Sequence, residues 1–568
     1  MTLDEERSML ISFVEKTWHG DPLTPMHPIT PPGVPFTLPE LTEALYRIPS
    51  VKAVAPPCAP GMIWTSHCAT IAPILFDLLS KWWGTSEPWI PHMWRNGWLQ
   101  LIPKPGRPPV RPENLRPLAL QCPLGKAVFG LLIHHASLQT APEFRTWPIW
   151  AFMPLRSTQD PLTKVALHCR ATKSLVDSQK STPHTRAALA PRLTCYGGLQ
   201  VFIDLEKAFD SVNRAKLFSK LHILQIDDNI ICLLRNWHVD TSYFLTHGGV
   251  STEVKVTCGL RQGCKGAPFL WNCLVVLMLH TLQTKVTIQW IREHLSIYAD
   301  DIHVGGIFRN LQELLALLDT IGILIQTLHD FDLRTNPSKS TAIFTIHGHQ
   351  GVKTRAKLTV KDLRGEHLRV PMPDGTEMLI PLQQKANYLG CILGYHNFED
   401  ATTWHRMKLA RIGFSRLKRW LCNKTHFSIK QRFQLWRTCI LPIYTYGTFA
   451  VDVTPKGIQH MIVQTGMMLR SIARDHSHHT GHTNEQVFQF SSFPHPAELL
   501  TSAVETLQQS IAQRNLRIPA DDIAWTLDWS HLPAIIAKIS SAQATLALHR
   551  TETALSGEVL VTDHLYFC

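Results

Sequence analysis

The chain has 568 residues, of which 45% are hydrophobic and 18% charged, enough apolar content over enough length to build several packed cores and to exclude a disordered tail. Its 56 Lys and Arg against 44 Asp and Glu leave a net charge of +12 and a pI near 9.1, a balance that favours a polyanionic partner, nucleic acid first. The longest candidate apolar run, Phe269 to Leu279, carries Asn272 inside it and falls short of the roughly 18 residues a membrane span needs, so no membrane partner is expected.

At the N-terminus Asp4, Glu5 and Glu6 precede any apolar stretch, the reverse of a secretory signal. An intracellular location in a reducing compartment, the nucleus, is expected. The 13 cysteines contain no CxxC pair, so they read as buried free thiols rather than as a zinc ribbon or redox dithiol. Prolines crowd residues 22 to 60 and 88 to 123, arguing for loops and short strands there. Trp82, Trp83, Trp89, Trp94 and Trp98 fall in this part and read as core anchors.

From residue 160 the pattern becomes regular. Helical spacing at 160–178 is followed by a polar linker at 179–192 and an apolar, strand-like run from Gly198 to Leu205. Helical patterns resume at 213–236, 266–283, 309–331, 404–422, 427–440 and 455–474, while 242–258, 295–305, 341–346 and 385–393 look extended. The fold class is therefore α+β, with the last third helical. Between Arg406 and Arg437 stand ten basic residues, Arg416, Lys418 and Arg419 among them, and no acid, interleaved with Phe414, Trp420, Phe427, Phe433 and Trp436. An ordinary solvated helix face mixes charge signs, so this one reads as a phosphate-tracking surface. Asp475-His-Ser-His-His-Thr-Gly-His482 lacks cysteine and lies in a polar stretch; it reads as a His-rich loop rather than a metal site.

Two acidic clusters carry the chemistry. In Val201-Phe-Ile-Asp-Leu-Glu-Lys-Ala-Phe-Asp210 a strand-like left half gives way to a helix-like right half, which sets Asp204 at a strand end. In Ser296-Ile-Tyr-Ala-Asp-Asp-Ile-His-Val304 two apolar arms flank Asp300 and Asp301, the pattern of a hairpin with an acidic tip. Like charges so close repel and are comfortable only with cations between them, and carboxylates of this kind suit Mg²⁺ beside phosphate. Two such ions, roughly 3.5 to 4 Å apart, can activate a 3′-hydroxyl and hold a leaving pyrophosphate.

Around these clusters lie Leu101-Ile-Pro-Lys-Pro-Gly106, Asn114-Leu-Arg-Pro-Leu-Ala-Leu120, Gly125-Lys126, Gly259-Leu-Arg-Gln-Gly-Cys-Lys-Gly-Ala-Pro268, Asn336-Pro-Ser-Lys339 and Tyr388-Leu-Gly-Cys-Ile-Leu393. In order and spacing, from about Lys52 to about Arg474, these segments resemble the successive blocks of reverse transcriptases of non-LTR (LINE-type) retrotransposons. The resemblance implies a right-hand polymerase: an N-terminal extension at 1–50, fingers at 51–197, a palm with part of the fingers at 198–400, a helical thumb at 401–480 and a helical region of unassigned role at 481–568. It implies Asp204, Asp300, Asp301 and the carbonyl of Leu205 as ligands of two Mg²⁺ ions, with Mn²⁺ able to substitute. Lys339 would protonate pyrophosphate, and Lys104 and Arg116 would clamp the triphosphate, tasks suited to a point charge and a bidentate fork. Phe209 would collide with a 2′-hydroxyl, while Gln262 and Gly263 would lie beside the template and nascent pair. Tyr388, Leu389 and Gly390 would hold the primer end. The implied partners are an RNA template, a DNA primer or nicked target, and deoxynucleoside triphosphates.

The sequence departs from the family pattern at Cys264, Lys265 and Gly266, and the Lys52 to Gly61 block carries extra residues relative to the family's Lys-Ala-Pro-Gly entry segment. No endonuclease module is recognisable, which suits a fragment or a truncated copy. Two alternatives stay open: a catalytically inactive nucleic-acid-binding remnant, and a polymerase of the group II intron maturase type.

Overall fold

A computed structural model describes residues 2–28, 30–180 and 192–556. The expected linker at 179–192 falls almost wholly outside the described residues. Elsewhere the periodic segments form elements close to their expected bounds, because their apolar faces find partners. The Gln159–Ser178 helix precedes β3 (Tyr196–Ile203), and the helical pattern at 213–236 resolves into Arg214–Lys220, a short 3₁₀ turn and Asp228–Asn236.

The central sheet is antiparallel in the order β6 (Leu295–Tyr298), β7 (Asp301–Phe308), β3, β8 (Thr341–His347). Every residue of β3 is buried. Both its faces are covered, which is why Leu199, Val201, Phe202 and Ile203 form a near-continuous apolar run rather than an alternating one. The Gln159–Ser178 helix lies against β3, β6 and β7, and the Leu311–Asp330 helix against β7 and the inserted strand β10. That insertion is a three-stranded sheet of β9 (Thr359–Asp362), β10 (Gly365–Pro371) and β11 (Glu377–Pro381) in the order β11-β10-β9.

A second sheet combines β1 (Gly97–Pro103), β2 (Leu115–Leu120), β4 (Thr241–His247) and β5 (Val250–Val256), in the order β2-β1-β4-β5 with β1 and β4 parallel. The Leu3–Thr17 helix, closed at its start by a reciprocal Thr2/Glu5 capping box, packs Leu10 and Val14 onto this sheet beside Tyr243 and Val254. The reciprocal bonds satisfy two otherwise orphaned backbone N–H donors, those of Thr2 and Glu5. Trp83 and Trp94 are buried as anchors of the neighbouring core, and Trp82 meets Trp89 and Trp94 edge-on at 4.7 and 6.1 Å.

One core extends from Leu23 to Ile380 and a second from Met407 to Ala542. In the second, Met407, Trp436, Met461, Leu500 and Ile535 belong to one cluster, so residues 401–480 share a core with the Asn484–Ser491, Pro496–Asn515 and His531–Ser556 helices. One helix among the described residues, Leu311–Asp330, is long and apolar enough to cross a membrane, where the sequence reading found no such segment. It carries Glu313, Asp319 and Asp330, and buries Leu314, Leu318, Ile321 and Ile325 in the first core. All twelve described cysteines are free thiols, nine of them buried.

Candidate active site

The apolar run of β3 stops at Ile203, which pairs with Ile302 of β7; Asp204 follows immediately, one step from Asp301 at the start of β7. Tyr298 pairs with Asp301, leaving Ala299 and Asp300 as a two-residue turn. Ala299 has φ +53°, a left-handed conformation that tight hairpins require and that disfavours a residue with a Cβ. The indole of Trp271 holds it by donating to the Ala299 carbonyl at 3.1 Å. Three carboxylates, from a strand end and a hairpin tip, are thereby brought together.

Their charges act on one another. Partial burial, then the charges of Asp300 and Asp204, push the Asp301 carboxyl up to about 6. Asp204 is also raised, by burial first and then by Asp300 and Glu206 against the opposing pull of Lys339. Lys339 Nζ stands 3.9 Å from Asp204 Oδ2, the only ion pair to the three acids among the described residues. A loop fixes this lysine: Asp204 N donates to Ser340 Oγ at 3.1 Å, Asn336 N donates to the Asp204 carbonyl at 2.8 Å, and Leu205 bridges to Thr335. The Leu205 side chain is buried in the core. Concentrated, undercompensated negative charge with hard oxygen donors is the chemistry divalent cations favour, but among the described residues no three such side chains stand close enough together to ligate one as placed.

Lys104 and Arg116 lie at the loop end of the β1–β2 hairpin. Lys104 Nζ donates to the Glu113 carbonyl at 2.8 Å. Burial, then Arg107 and Arg116, hold its ammonium below the ordinary range, and it feels the charges of Asp210 and Lys339 across the cleft. Lys104 is thus within electrostatic reach of Lys339, the lysine that pairs with Asp204.

Phe209 is half-buried, stacked on Trp271 at 4.6 Å and edge-on to Phe152 at 6.3 Å. Its carbonyl accepts from Leu260 N at 2.7 Å. Gly259, with φ +79°, turns the chain where a Cβ would lie 2.6 Å from the Asp210 carbonyl. Gln262 reaches Asp210 with its side-chain amide at 3.3 Å, and its carbonyl accepts from Ala119 N. Lys126 Nζ donates to the exposed Gly263 at 2.7 Å.

Two residues with no role assigned from sequence, Trp18 and Asp210, belong to this wall of the site. The Trp18 indole donates to Asp210 at 3.1 Å, and burial raises the Asp210 carboxyl against the pull of its Trp18 and Gln262 bonds. The acid at the end of the Phe209–Asp210 pair was visible in the sequence; its partner, 192 residues upstream, was not.

Tyr388 ends β12 (Lys385–Tyr388), which pairs with β13 (Cys391–Gly394). Leu389 (φ +47°) and Gly390 (φ +81°) form the turn, both left-handed as a two-residue hairpin demands. The expected primer-holding trio divides here. The Tyr388 ring is buried against Phe202 and His303, whereas Leu389 and Gly390 are partly exposed.

The basic stretch forms the Phe398–Leu421 and Ile429–Cys439 helices. Arg416, Lys418 and Arg419 are exposed, as are Lys408, Arg411, Lys424, Lys430 and Arg437, and none of the eight is ion-paired among the described residues. Two of the ten face inward: Arg432 donates to the Ile472 carbonyl at 2.6 Å, and Arg406 to that of Ile443 while stacking on Tyr446. In the His-rich segment Asp475 accepts from Thr480 and pairs with His482 at 2.8 Å.

The chain resembles known proteins over this same region. A 24% identical relative over 439 residues is the probable RNA-directed DNA polymerase from transposon BS of Drosophila melanogaster, a match covering 73% of this chain and 42% of that protein. Among solved structures, apo telomerase from Candida tropicalis is 10% identical with a TM-score of 0.38, covering 81% of this chain and 67% of that one. Telomerase from Candida albicans in complex with a telomeric RNA fragment is 11% identical with a TM-score of 0.32, covering 77% and 66%. The family model of the reverse transcriptase (RNA-dependent DNA polymerase) matches residues 102–393, which runs from the end of β1 through the acid hairpin into β13 and exceeds half the chain. With its mixed helices and sheets in the right-hand polymerase fold, the chain belongs to the reverse transcriptase family.

Proposed function

We propose that the chain is the polymerase region of a non-LTR retrotransposon reverse transcriptase, adding deoxynucleotides to a primer 3′-hydroxyl on an RNA template. The observation that carries this reading is the convergence of Asp204, Asp300 and Asp301 at the joined ends of β3 and β7, with Asp301 held near 6 by crowding and its neighbours. Residues 51–197 are the fingers, 198–400 the palm with part of the fingers and 401–480 the thumb. The three acids, with the Leu205 carbonyl, would hold two Mg²⁺ ions, which in such sites acidify the attacking hydroxyl and neutralise charge on the leaving oxygens.

The remaining work falls to the chain's own side chains. Lys104 and Arg116 bind and orient the triphosphate from across the cleft. Phe209, backed by Trp271, blocks the space a 2′-hydroxyl would need. Lys339 delivers a proton to the departing pyrophosphate oxygen. Gln262 and Gly263 line the nascent pair, the Leu389–Gly390 turn rests against the primer strand, and the exposed basic helix face carrying Arg416, Lys418 and Arg419 follows phosphates. A nuclear location accords with copying RNA at a nicked DNA target.

The test is primer extension by the purified chain on a heteropolymeric RNA template. Template-directed deoxynucleotide addition, absent in Asp300→Asn, is the expected result. Tight template binding with no addition under any divalent cation would instead make it a nucleic-acid-binding remnant.

A further inference from the structure

Residues 514–529 lie about 200 positions beyond the acid hairpin in sequence, yet the structure ties them to it. Two ion pairs cross between this segment and residues 145–160 in opposite senses: Arg156 with Asp522 at 2.8 Å, and Arg514 with Asp160. All four side chains are nine-tenths or more buried. Arg156 also donates to the carbonyls of Arg145 at 2.6 Å, Trp147 at 3.0 Å and Ile149, which fixes the path of 145–150. Ile523 N donates to the Arg145 carbonyl at 3.1 Å.

That path is an added edge of the central sheet. Trp150 N donates to the Ile297 carbonyl at 2.8 Å and Ile297 N to the Pro148 carbonyl at 2.9 Å, with Ile149 bridged to Ile297. Ile297 is in β6, three residues before Asp300. A second connection is apolar: Trp150, Ile518, Ile523 and Ala524 form a small cluster against which Tyr298, the residue that opens the acidic turn, is packed.

Buried ion pairs gain little net stability over apolar side chains of similar size, because desolvation offsets their attraction, but they penalise every docking that leaves a charge unpaired. Two reciprocal Arg–Asp pairs therefore specify one seating of the segment. We propose that residues 514–529 are a latch, with Arg514 and Asp522 as positioning residues, that sets the height of the β6–β7 acidic turn through residues 145–150 and Tyr298. On this account the region after 481 is required for catalysis without touching substrate. The catalytic consequence rests on the polymerase reading above; the mechanical coupling does not.

The experiment is hydrogen exchange on the full chain, run beside single-nucleotide addition. In the unmutated protein, peptides covering 145–150, 295–301 and 514–526 should open as one unit, with a common dependence on denaturant. In Asp522→Asn, exchange at 145–150 and 295–301 should rise at least about tenfold while the Ile429–Cys439 helix keeps its protection. kcat should fall by roughly 10- to 100-fold, the loss that follows from small misplacement of reacting groups, with KM for primed template unchanged. Converting both members of the other pair, Arg514→Gln with Asp160→Asn, should cost less kcat than Arg514→Gln alone. Independent opening of 514–526 and 295–301 in the unmutated chain would overturn the latch, and that reading survives even if Asp522→Asn does not fold. So would an Asp522→Asn protein whose 514–526 segment opens while 295–301 and kcat stay unchanged. Coupled exchange in a chain that extends no primer would uphold the latch and refute the polymerase reading.

Discussion

At the joined ends of β3 and β7 three carboxylates crowd a turn in which Ala299 takes a left-handed conformation and Asp301 is pushed up to about 6. Along the Phe398–Leu421 and Ile429–Cys439 helices and the link between them eight cations stand exposed, outnumbering the acids being compared and spread over a far longer path. The first region concentrates like charge at a cost and fixes each atom by its neighbours. The second spreads charge at almost no cost, so that no single member is indispensable. A group that must sit at one place relative to reacting atoms tolerates no substitution, whereas phosphate contacts add up and are individually replaceable.

The largest expected break of this contrast is at the acids. Asp204→Asn, Asp300→Asn or Asp301→Asn should each reduce nucleotide addition by at least about a hundredfold, in line with losses seen when a charge-stabilising group is removed from an active site, with template affinity within about twofold of the unmutated chain. Single-turnover incorporation and equilibrium binding, measured on one preparation, check both halves.

Next comes Phe209. With its ring stacked on Trp271, Phe209→Ala opens room at the sugar edge, and the preference for deoxy over ribonucleotides should drop by roughly ten- to a hundredfold, more than total activity does. Competition between the two nucleotide types gives the ratio. An unchanged preference would make Phe209 a packing residue only.

Smaller and spread evenly is the effect of replacing Arg416, Lys418 and Arg419 together by Gln. The salt slope of binding should fall by about 2 to 3 log units per log unit of salt, since each phosphate contact contributes about 0.7 to 0.9. Affinity should weaken for all template sequences alike. A salt titration beside product-length analysis should show unchanged first-nucleotide addition and shorter products. A steep sequence dependence would contradict the proposed even spread.

The smallest effect is on stability and runs opposite to activity. The folded Asp301 carboxyl holds its proton up to about 6, against an ordinary value of 3.8, so without metal its charge opposes folding progressively from about pH 4 and fully above about pH 6. Asp301→Asn should then raise the Tm of the metal-free chain at pH 8 by only about 1 °C, the carboxyl being partly open to water, and should leave it unchanged near pH 4. Thermal unfolding with chelator at the two pH values checks the sign.

Legibility in the sequence followed the same division. The β3 run ending on Asp204 and the hairpin carrying Asp300 and Asp301 were visible because both depend on local apolar patterns around an acid. The basic stretch was visible as composition, but composition could not separate Arg406 and Arg432, which turn inward to cap carbonyls, from the eight that face out. Tyr388 lay in a matched motif, yet its ring belongs to the core, whereas Leu389 and Gly390 in the two-residue turn after it are partly exposed. What local patterns could not show were pairings over long separations: Trp18 with Asp210 across 192 residues, Arg514 with Asp160 across 354, and the common core of 401–480 with the helices that follow. The inserted β9–β11 sheet was missed for another reason. Its strands are short, charged and half-exposed, so no strong alternation marks them.

The most direct measurement of the central claim is a comparison of rate and affinity in Asp204→Asn on a primed RNA template in Mg²⁺. The account predicts single-turnover addition lowered at least about a hundredfold with an unchanged Kd and an unchanged salt slope. Nucleotide addition near the unmutated rate, or a Kd that weakens in step with the rate, would contradict the assignment of chemistry to the acid cluster and binding to the basic helices.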